Sequence, residues 1–100
     1  MGLIAKDELL DFLRAHKVEF LEKYGVEKIA VFGSVVRGNQ TDTSDIDIAI
    51  EMVQNRKNIH NFLEFKRFLE SRLYSRIDLG IESTLKPAVK NAIKDEIIYV

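Results

Sequence analysis

The sequence predicts an α/β (α+β) fold in which a small mixed sheet of about four strands is backed by helices. Short runs rich in isoleucine and valine alternate with longer segments whose apolar residues recur at helical spacing. The predicted order along the chain is α-β-α-β-α-β-α-β. No internal repeat, low-complexity segment or linker interrupts this order, so we expect residues 1–100 to form one domain.

The first predicted element is an amphipathic helix from about Lys6 to Tyr24. Its apolar residues share one face, and Gly25 ends the run. His16 lies on the same stripe, and we interpret it as a packing residue rather than a functional one. The next segment, Val26–Phe32, is a β-branched apolar run, which predicts a strand covered on both faces.

The middle of the chain predicts a turn of helix, a loop and two similar strands. Residues 34–38 fit one or two helical turns, and the wholly polar residues 39–44 fit an exposed loop. Residues 45–51 alternate, with isoleucines on one face and acids on the other, and residues 77–82 repeat that pattern. These alternations predict two strands whose acidic residues share a face.

Two helices and an edge strand complete the prediction. Residues 59–74 form a helix with a wide apolar surface that includes Phe65 and Phe68, a candidate docking face for a partner. Pro87 begins a last helix that runs to about residue 95. Residues 97–100 fit a short edge strand.

The composition is that of a soluble globular protein, with 46% hydrophobic and 31% charged residues. A formal net charge of -1 gives no general affinity for nucleic acid, so no direct nucleic-acid partner is expected. The absence of cysteine excludes disulfides and thiolate metal sites. No apolar run reaches the roughly 20 residues of a membrane helix, so we expect a cytoplasmic protein without membrane contact.

The most specific pattern is a pair of small residues followed by three acids. Gly33-Ser34 precedes Asp45 and Asp47 by ten residues, and Asp78 lies in the later strand. If the first two strands are antiparallel and a helical crossover makes the third parallel, all three carboxylates converge beside Gly33-Ser34.

Three carboxylates on one face would repel one another unless divalent cations neutralised them. Magnesium prefers oxygen ligands, and two ions about 3.5 to 4 Å apart are the arrangement typical of nucleotidyl transfer. We expect Asp45 and Asp47 to bridge the ions, and Asp78 to complete one of them and assist deprotonation of the acceptor hydroxyl.

The neighbouring residues favour a phosphate ligand. Gly33 lets the backbone approach phosphates, and Ser34 offers donors at a helix start. The small residues Ala49 and Gly80, beside the acids, predict room for a ligand. Arg37 fits either a phosphate contact or an ion pair with a loop carboxylate such as Asp42.

The other charged residues are interpreted as structural. Glu51 and Glu82 are expected to be solvated or salt-bridged. Three lysines of the last helix fit a solvated face, with a substrate or partner role as the alternative: Lys86, Lys90 and Lys94.

These motifs resemble the DNA polymerase β-like nucleotidyltransferase superfamily, whose signature is G-S, about ten residues, D-x-D and a third acid on a later strand. The short length and the segments 85–90 and 97–100 resemble its minimal nucleotidyltransferase (MNT) group, antitoxins paired with HEPN-domain ribonuclease toxins. The resemblance implies magnesium-dependent transfer of AMP from ATP to a hydroxyl, in this group a tyrosine of the partner toxin, whose gene is expected to be adjacent.

Two other functions remain compatible with the sequence. One is a non-enzymatic antitoxin that neutralises its partner by occlusion alone. The other is nucleotidylation of a small molecule such as an aminoglycoside, against which the lack of an acceptor-binding domain counts.

Overall fold

Four strands form one mixed sheet in the computed structural model, which describes residues 4–100. Strand β1 (Val26–Phe32) is antiparallel to β2 (Ile46–Met52) on one side and to β4 (Ile98–Tyr99) on the other. Strand β3 (Ile77–Ile81) is parallel to β2, which gives the order β3-β2-β1-β4. The predicted mixed sheet is confirmed, with strand ends within one residue of the predictions for β2 and β3.

Helices connect the strands and cover the sheet. The parallel step from β2 to β3 is made through the longest of them, as a crossover requires. No helix within residues 4–100 is both long and apolar enough to cross a membrane. The helices are α1 (Lys6–Ala15), α2 (Lys17–Tyr24), α3 (Ser34–Arg37), α4 (Ile59–Leu73) and α5 (Pro87–Ile93), with 3₁₀ turns at Gln54–Arg56 and Glu82–Thr84.

The prediction of one helix from Lys6 to Tyr24 is wrong, because the chain breaks into α1 and α2 at His16. His16 has φ -110° and ψ 10°, outside the helical region. Only one residue leaves the helical geometry, so the apolar periodicity continues across the break and hides it. The His16 ring packs edge-on against Phe12, with ring centroids 4.6 Å apart, as its interpretation as a packing residue anticipated.

The core lies between the sheet and the helices α1, α2 and α4. Phe20 is its centre, with ring centroids 4.9 Å from Phe65 and 5.7 Å from Phe68, both in edge-to-face geometry. The prediction that Phe65 and Phe68 belong to a docking face is therefore wrong. They close the core from α4, whose exposed apolar residues are Ile59 and Leu63.

Candidate active site

The register of the sheet brings the predicted acids together at one end of the strands, where β1 ends and β2 and β3 begin. Phe32 at the end of β1 is opposite Asp47 on β2, and Asp47 is opposite Asp78 on β3. Gly33 follows Phe32 directly, and Asp45 directly precedes β2. The predicted strand directions, antiparallel and then parallel, are both found, and they place these residues together as expected.

A polar cavity of about 370 Å³ opens at this end of the strands. Five of the predicted site residues line it: Ser34, Arg37, Asp45, Asp47 and Asp78. Sequence reasoning missed its other lining residues, Thr43, Ser44 and Arg76. The first two could have been found from their position beside the D-x-D motif, whereas nothing in the sequence pattern marks Arg76.

Gly33 is required by a close approach to Asp47. It has φ 82°, in the left-handed region, and a Cβ placed on it would overlap Oδ2 of Asp47. The glycine therefore leaves the space that the Asp47 carboxylate occupies. This reason is additional to the predicted approach of the backbone to phosphates.

The carboxyl group of Asp47 holds its proton more strongly than an ordinary aspartate. Burial raises its pKa to about 6, and the charge of Asp78, a hydrogen bond with the Asp78 side chain and the charge of Asp45 act in the same direction. Arg37 opposes them. Burial and the neighbouring acids thus disfavour the negative charge of Asp47, and bringing a positive charge to this group of carboxyls would be favourable.

Asp45 is engaged by a partner of its own. Nε of Arg76 lies 3.0 Å from Oδ1 of Asp45, and Nη2 of Arg76 donates to the Thr43 carbonyl at 3.0 Å. Within residues 4–100 no three acidic or histidine side chains are gathered closely enough to hold a metal ion. The donor set nevertheless fits magnesium, because it consists of carboxylate oxygens and includes two that repel each other.

Arg37 forms an ion pair, but with Glu96 and not with a carboxylate of the 39–44 loop such as Asp42. Its Nη1 donates to Oε1 of Glu96 at 3.0 Å and to Oε2 at 3.1 Å. The same Oε2 accepts the backbone N–H of Gly33 at 2.6 Å. Sequence reasoning missed Glu96, since it lies 59 residues from Arg37 and outside any motif.

The prediction that the small residues beside the acids leave room for a ligand is wrong. Ala49 is 1% exposed, and a Cβ on Gly80 would lie 3.4 Å from Cδ2 of Leu85. Leu85, from the segment between β3 and α5, thus lies over Gly80 on this face of the sheet.

The remaining charged residues lie apart from the cavity. Glu51 pairs with Lys57 at 2.9 Å and Glu82 with Lys28 at 3.2 Å, in line with their structural interpretation. Of the three lysines in and beside α5, Lys90 and Lys94 line a second cavity, of about 290 Å³, which shares no lining residue with the first.

Known proteins are similar to this chain in sequence and in fold. A family model described as a nucleotidyltransferase domain matches residues 13–100. The protein adenylyltransferase MntA of Thermococcus cleftensis is 36% identical over 100 residues, which is the whole of both chains.

Two solved structures resemble the chain. A minimal nucleotidyltransferase matches with a TM-score of 0.75 and 28% identity over 97% of this chain and 98% of its own. A toxin-antitoxin structure with AMP-PNP matches with a TM-score of 0.66 and 24% identity over 82% of this chain and 67% of its own, a likeness of fold.

The resemblance found in the motifs is thereby confirmed for family and fold. The family model spans most of the chain. The chain belongs to the nucleotidyltransferase domain family and is a nucleotidyltransferase enzyme.

Proposed function

We propose that this enzyme transfers AMP from ATP to a hydroxyl group, a tyrosine of a HEPN-domain toxin encoded next to it, and so acts as the antitoxin of the pair. The observation that carries this proposal is the pairing of Asp47 with Asp78 in register, in a cavity that Ser34 and Arg37 also line. The 36% identity to a protein adenylyltransferase over the full length supports AMP as the transferred group.

The triphosphate of ATP would lie along the Ser34 and Arg37 side of the cavity. The Ser34 hydroxyl is a donor for a phosphate oxygen, and the guanidinium of Arg37 supplies positive charge. The carboxylates of Asp45, Asp47 and Asp78 line the same cavity. A cavity lined by both donors and acids fits a nucleotide that arrives with its metal.

Asp45, Asp47 and Asp78 would hold magnesium. Asp45 would either keep its ion pair with Arg76 while it binds the metal or give that pair up. When bound, magnesium neutralises charge on the phosphates and on the departing pyrophosphate. In the transfer, the acceptor oxygen forms a bond to the α-phosphorus, and the bond from that phosphorus to the bridging oxygen of pyrophosphate breaks. The acceptor proton passes to a carboxylate oxygen of Asp78.

The acceptor is proposed to arrive on another molecule. Residues 4–100 form one sheet with its helices, and the polar cavity opens at one end of the strands. A solved neighbour of the same fold is a toxin-antitoxin structure with AMP-PNP, which supports a toxin as the partner.

The experiment incubates the purified protein with ATP, magnesium and the toxin encoded next to it. We expect an AMP mass increment on a toxin tyrosine, located by mass spectrometry, and loss of toxin ribonuclease activity. The matched control is Asp47→Asn, which keeps the shape of the side chain but not its charge. No increment on the toxin at saturating ATP would refute the proposal, and neutralisation that survives in Asp47→Asn would point to occlusion alone.

A further inference from the structure

The geometry points to Glu96 as a positioning residue of the nucleotide site, which holds Gly33 and Arg37 in the arrangement that receives the triphosphate. This inference rests on the proposed function and adds to it a residue that belongs to no sequence motif. The Glu96 carboxylate contacts two residues of the Gly33 to Arg37 segment.

The contact is built by the edge of the sheet. Ala30 is opposite Tyr99 and Val31 opposite Ile98, so continuing this antiparallel register places Glu96 opposite Gly33. The Glu96 side chain, rather than its backbone, accepts the Gly33 N–H, at 2.6 Å. That N–H therefore points towards the β4 side of β1, away from the aspartates of β2 and β3.

This direction argues against Glu96 as a stand-in for phosphate. The cavity with the acids lies on the β2 side of β1, and Glu96 is not among the residues that line it. Arg37 lines the cavity and also reaches Glu96. Glu96 thus contacts Arg37 from outside the cavity.

Arg37 keeps donors free for a ligand. It contacts Glu96 through Nη1 alone, and Nε and Nη2 find no acceptor within residues 4–100. Glu96 is mostly buried whereas Arg37 is half-exposed, with side-chain exposures of 19% and 51%. A fixed carboxylate that orients a flexible guanidinium lowers the conformational entropy lost when that guanidinium binds phosphate.

The acids of the cavity offer Arg37 a competing partner. Arg37 lines the same cavity as Asp45 and Asp47, and its charge already acts on Asp47. Pairing of Arg37 with either aspartate would block a carboxylate and remove a phosphate donor. Glu96 therefore keeps Arg37 and the acids apart before the nucleotide arrives.

The test is the affinity of the full chain for ATP with magnesium, measured by isothermal titration calorimetry. We expect Glu96→Ala to weaken binding about tenfold, the size typical of a charge-assisted hydrogen bond. Glu96→Gln still accepts the Gly33 N–H but cannot pair with Arg37 as an ion, so we expect about a threefold loss. Asp95→Ala removes the same charge at the exposed neighbouring position and should bind like the wild type.

A second readout separates positioning from general stability. Because part of the effect of Glu96 passes through Arg37, adding Glu96→Ala to Arg37→Ala should cost less ATP affinity than Glu96→Ala costs in the wild type, since only the Gly33 contact is then left to lose. With an acceptor, the loss in Glu96→Ala should appear as a higher KM for ATP at nearly constant kcat. Thermal unfolding identifies any variant that fails to fold, and Glu96→Gln then carries the test.

The outcomes distinguish this inference from the function on which it rests. Wild-type affinity in folded Glu96→Ala, or in Glu96→Gln where only that variant folds, would overturn the inference alone. Tighter binding in either variant would also overturn it, because the carboxylate would then be competing with phosphate. If the wild type bound no ATP, the proposed function itself would fall.

Discussion

Asp47 on β2 and Asp78 on β3 are paired positions of one parallel ladder, and the same ladder pairs Ala49 with Gly80 two residues further along. Side chains at paired positions lie on the same face of a sheet, which keeps the two carboxyls adjacent. The pKa of about 6 at Asp47 is the electrostatic result, with burial as its first cause. Burial and the neighbouring acids thus make the negative charge of Asp47 unfavourable at a position where we propose that magnesium binds.

We expect Asp47→Asn to stabilise the metal-free protein. The folded protein holds the Asp47 proton up to a pKa of about 6, whereas the unfolded chain releases it near 4. The wild type therefore loses stability as pH rises from about 4 to about 6, and the variant does not. Because the carboxyl is partly solvated, we expect a gain of about 1 kcal/mol in the free energy of unfolding above pH 6.

Urea unfolding with EDTA at several pH values from 4 to 7.5 checks this expectation. The exposed acid Asp95, changed to Asn, serves as the control. A difference between Asp47→Asn and wild type that stays constant across this range would contradict the assigned pKa.

Gly33→Ala should be far more damaging than Gly38→Ala. Both glycines have positive φ, 82° and 78°, but their ψ angles differ. Gly38, with ψ 16°, is in the αL region, where alanine costs about 1 kcal/mol, whereas Gly33, with ψ -153°, is in a region that essentially only glycine adopts. Only at Gly33 would the new Cβ also overlap the Asp47 carboxylate, since nothing lies within 4 Å at Gly38. We expect Gly33→Ala to lose at least ~2 kcal/mol more in the free energy of unfolding, together with nucleotide binding.

Chemical denaturation and ATP titration of the two glycine variants make the comparison. Equal losses of stability at the two positions would mean that the close approach of Gly33 to Asp47 is not maintained in solution.

Arg76→Ala should lower the magnesium concentration needed for half-maximal ATP binding. Arg76 and Asp45 form an exposed ion pair, which contributes ~0.2–1 kcal/mol, so releasing Asp45 should change the requirement about threefold. Arg67→Ala, which breaks the exposed pair with Glu64 on α4, is the matched control. A higher magnesium requirement in Arg76→Ala would show instead that Arg76 contacts the nucleotide.

Phe65→Leu and Ile59→Ser should separate the two sides of α4. Phe65 is fully buried against Phe20, so shortening it should cost about 1–2 kcal/mol in the free energy of unfolding. Ile59 is 70% exposed, and its replacement should change stability by less than about 0.5 kcal/mol. Urea unfolding of both variants measures this, and a large loss in Ile59→Ser would contradict the placement of the helix.

The sequence was sufficient for the backbone of the site because its signals are periodic. Alternation along β2 and β3 fixes which face carries Asp47 and Asp78, and the helical crossover fixes that the strands are parallel. The turn at Gly33 follows from the end of an apolar run. Together, these three inferences predict at which end of the strands the cavity lies.

The ionic partners were not predictable in the same way. Arg37 reaches Glu96 across 59 positions and Arg76 reaches the Thr43 carbonyl across 33, and such contacts leave no periodic trace in a sequence. For the same reason the apolar width of α4 did not reveal which residues face inwards. Phe65 and Phe68 meet Phe20 on α2, a contact between helices far apart in sequence that apolar spacing does not record.

The hydrogen bond from Gly33 to Glu96 closes a loop of 63 positions that encloses β2, α4, β3 and α5. Contacts so distant in sequence form only after the intervening chain has been ordered, because closing a long loop costs entropy. A nascent chain therefore already contains Asp45 and Asp47 before Glu96 can reach Gly33. The turn at Gly33 gains its carboxylate partner late in folding, after the strands that carry the aspartates have been made.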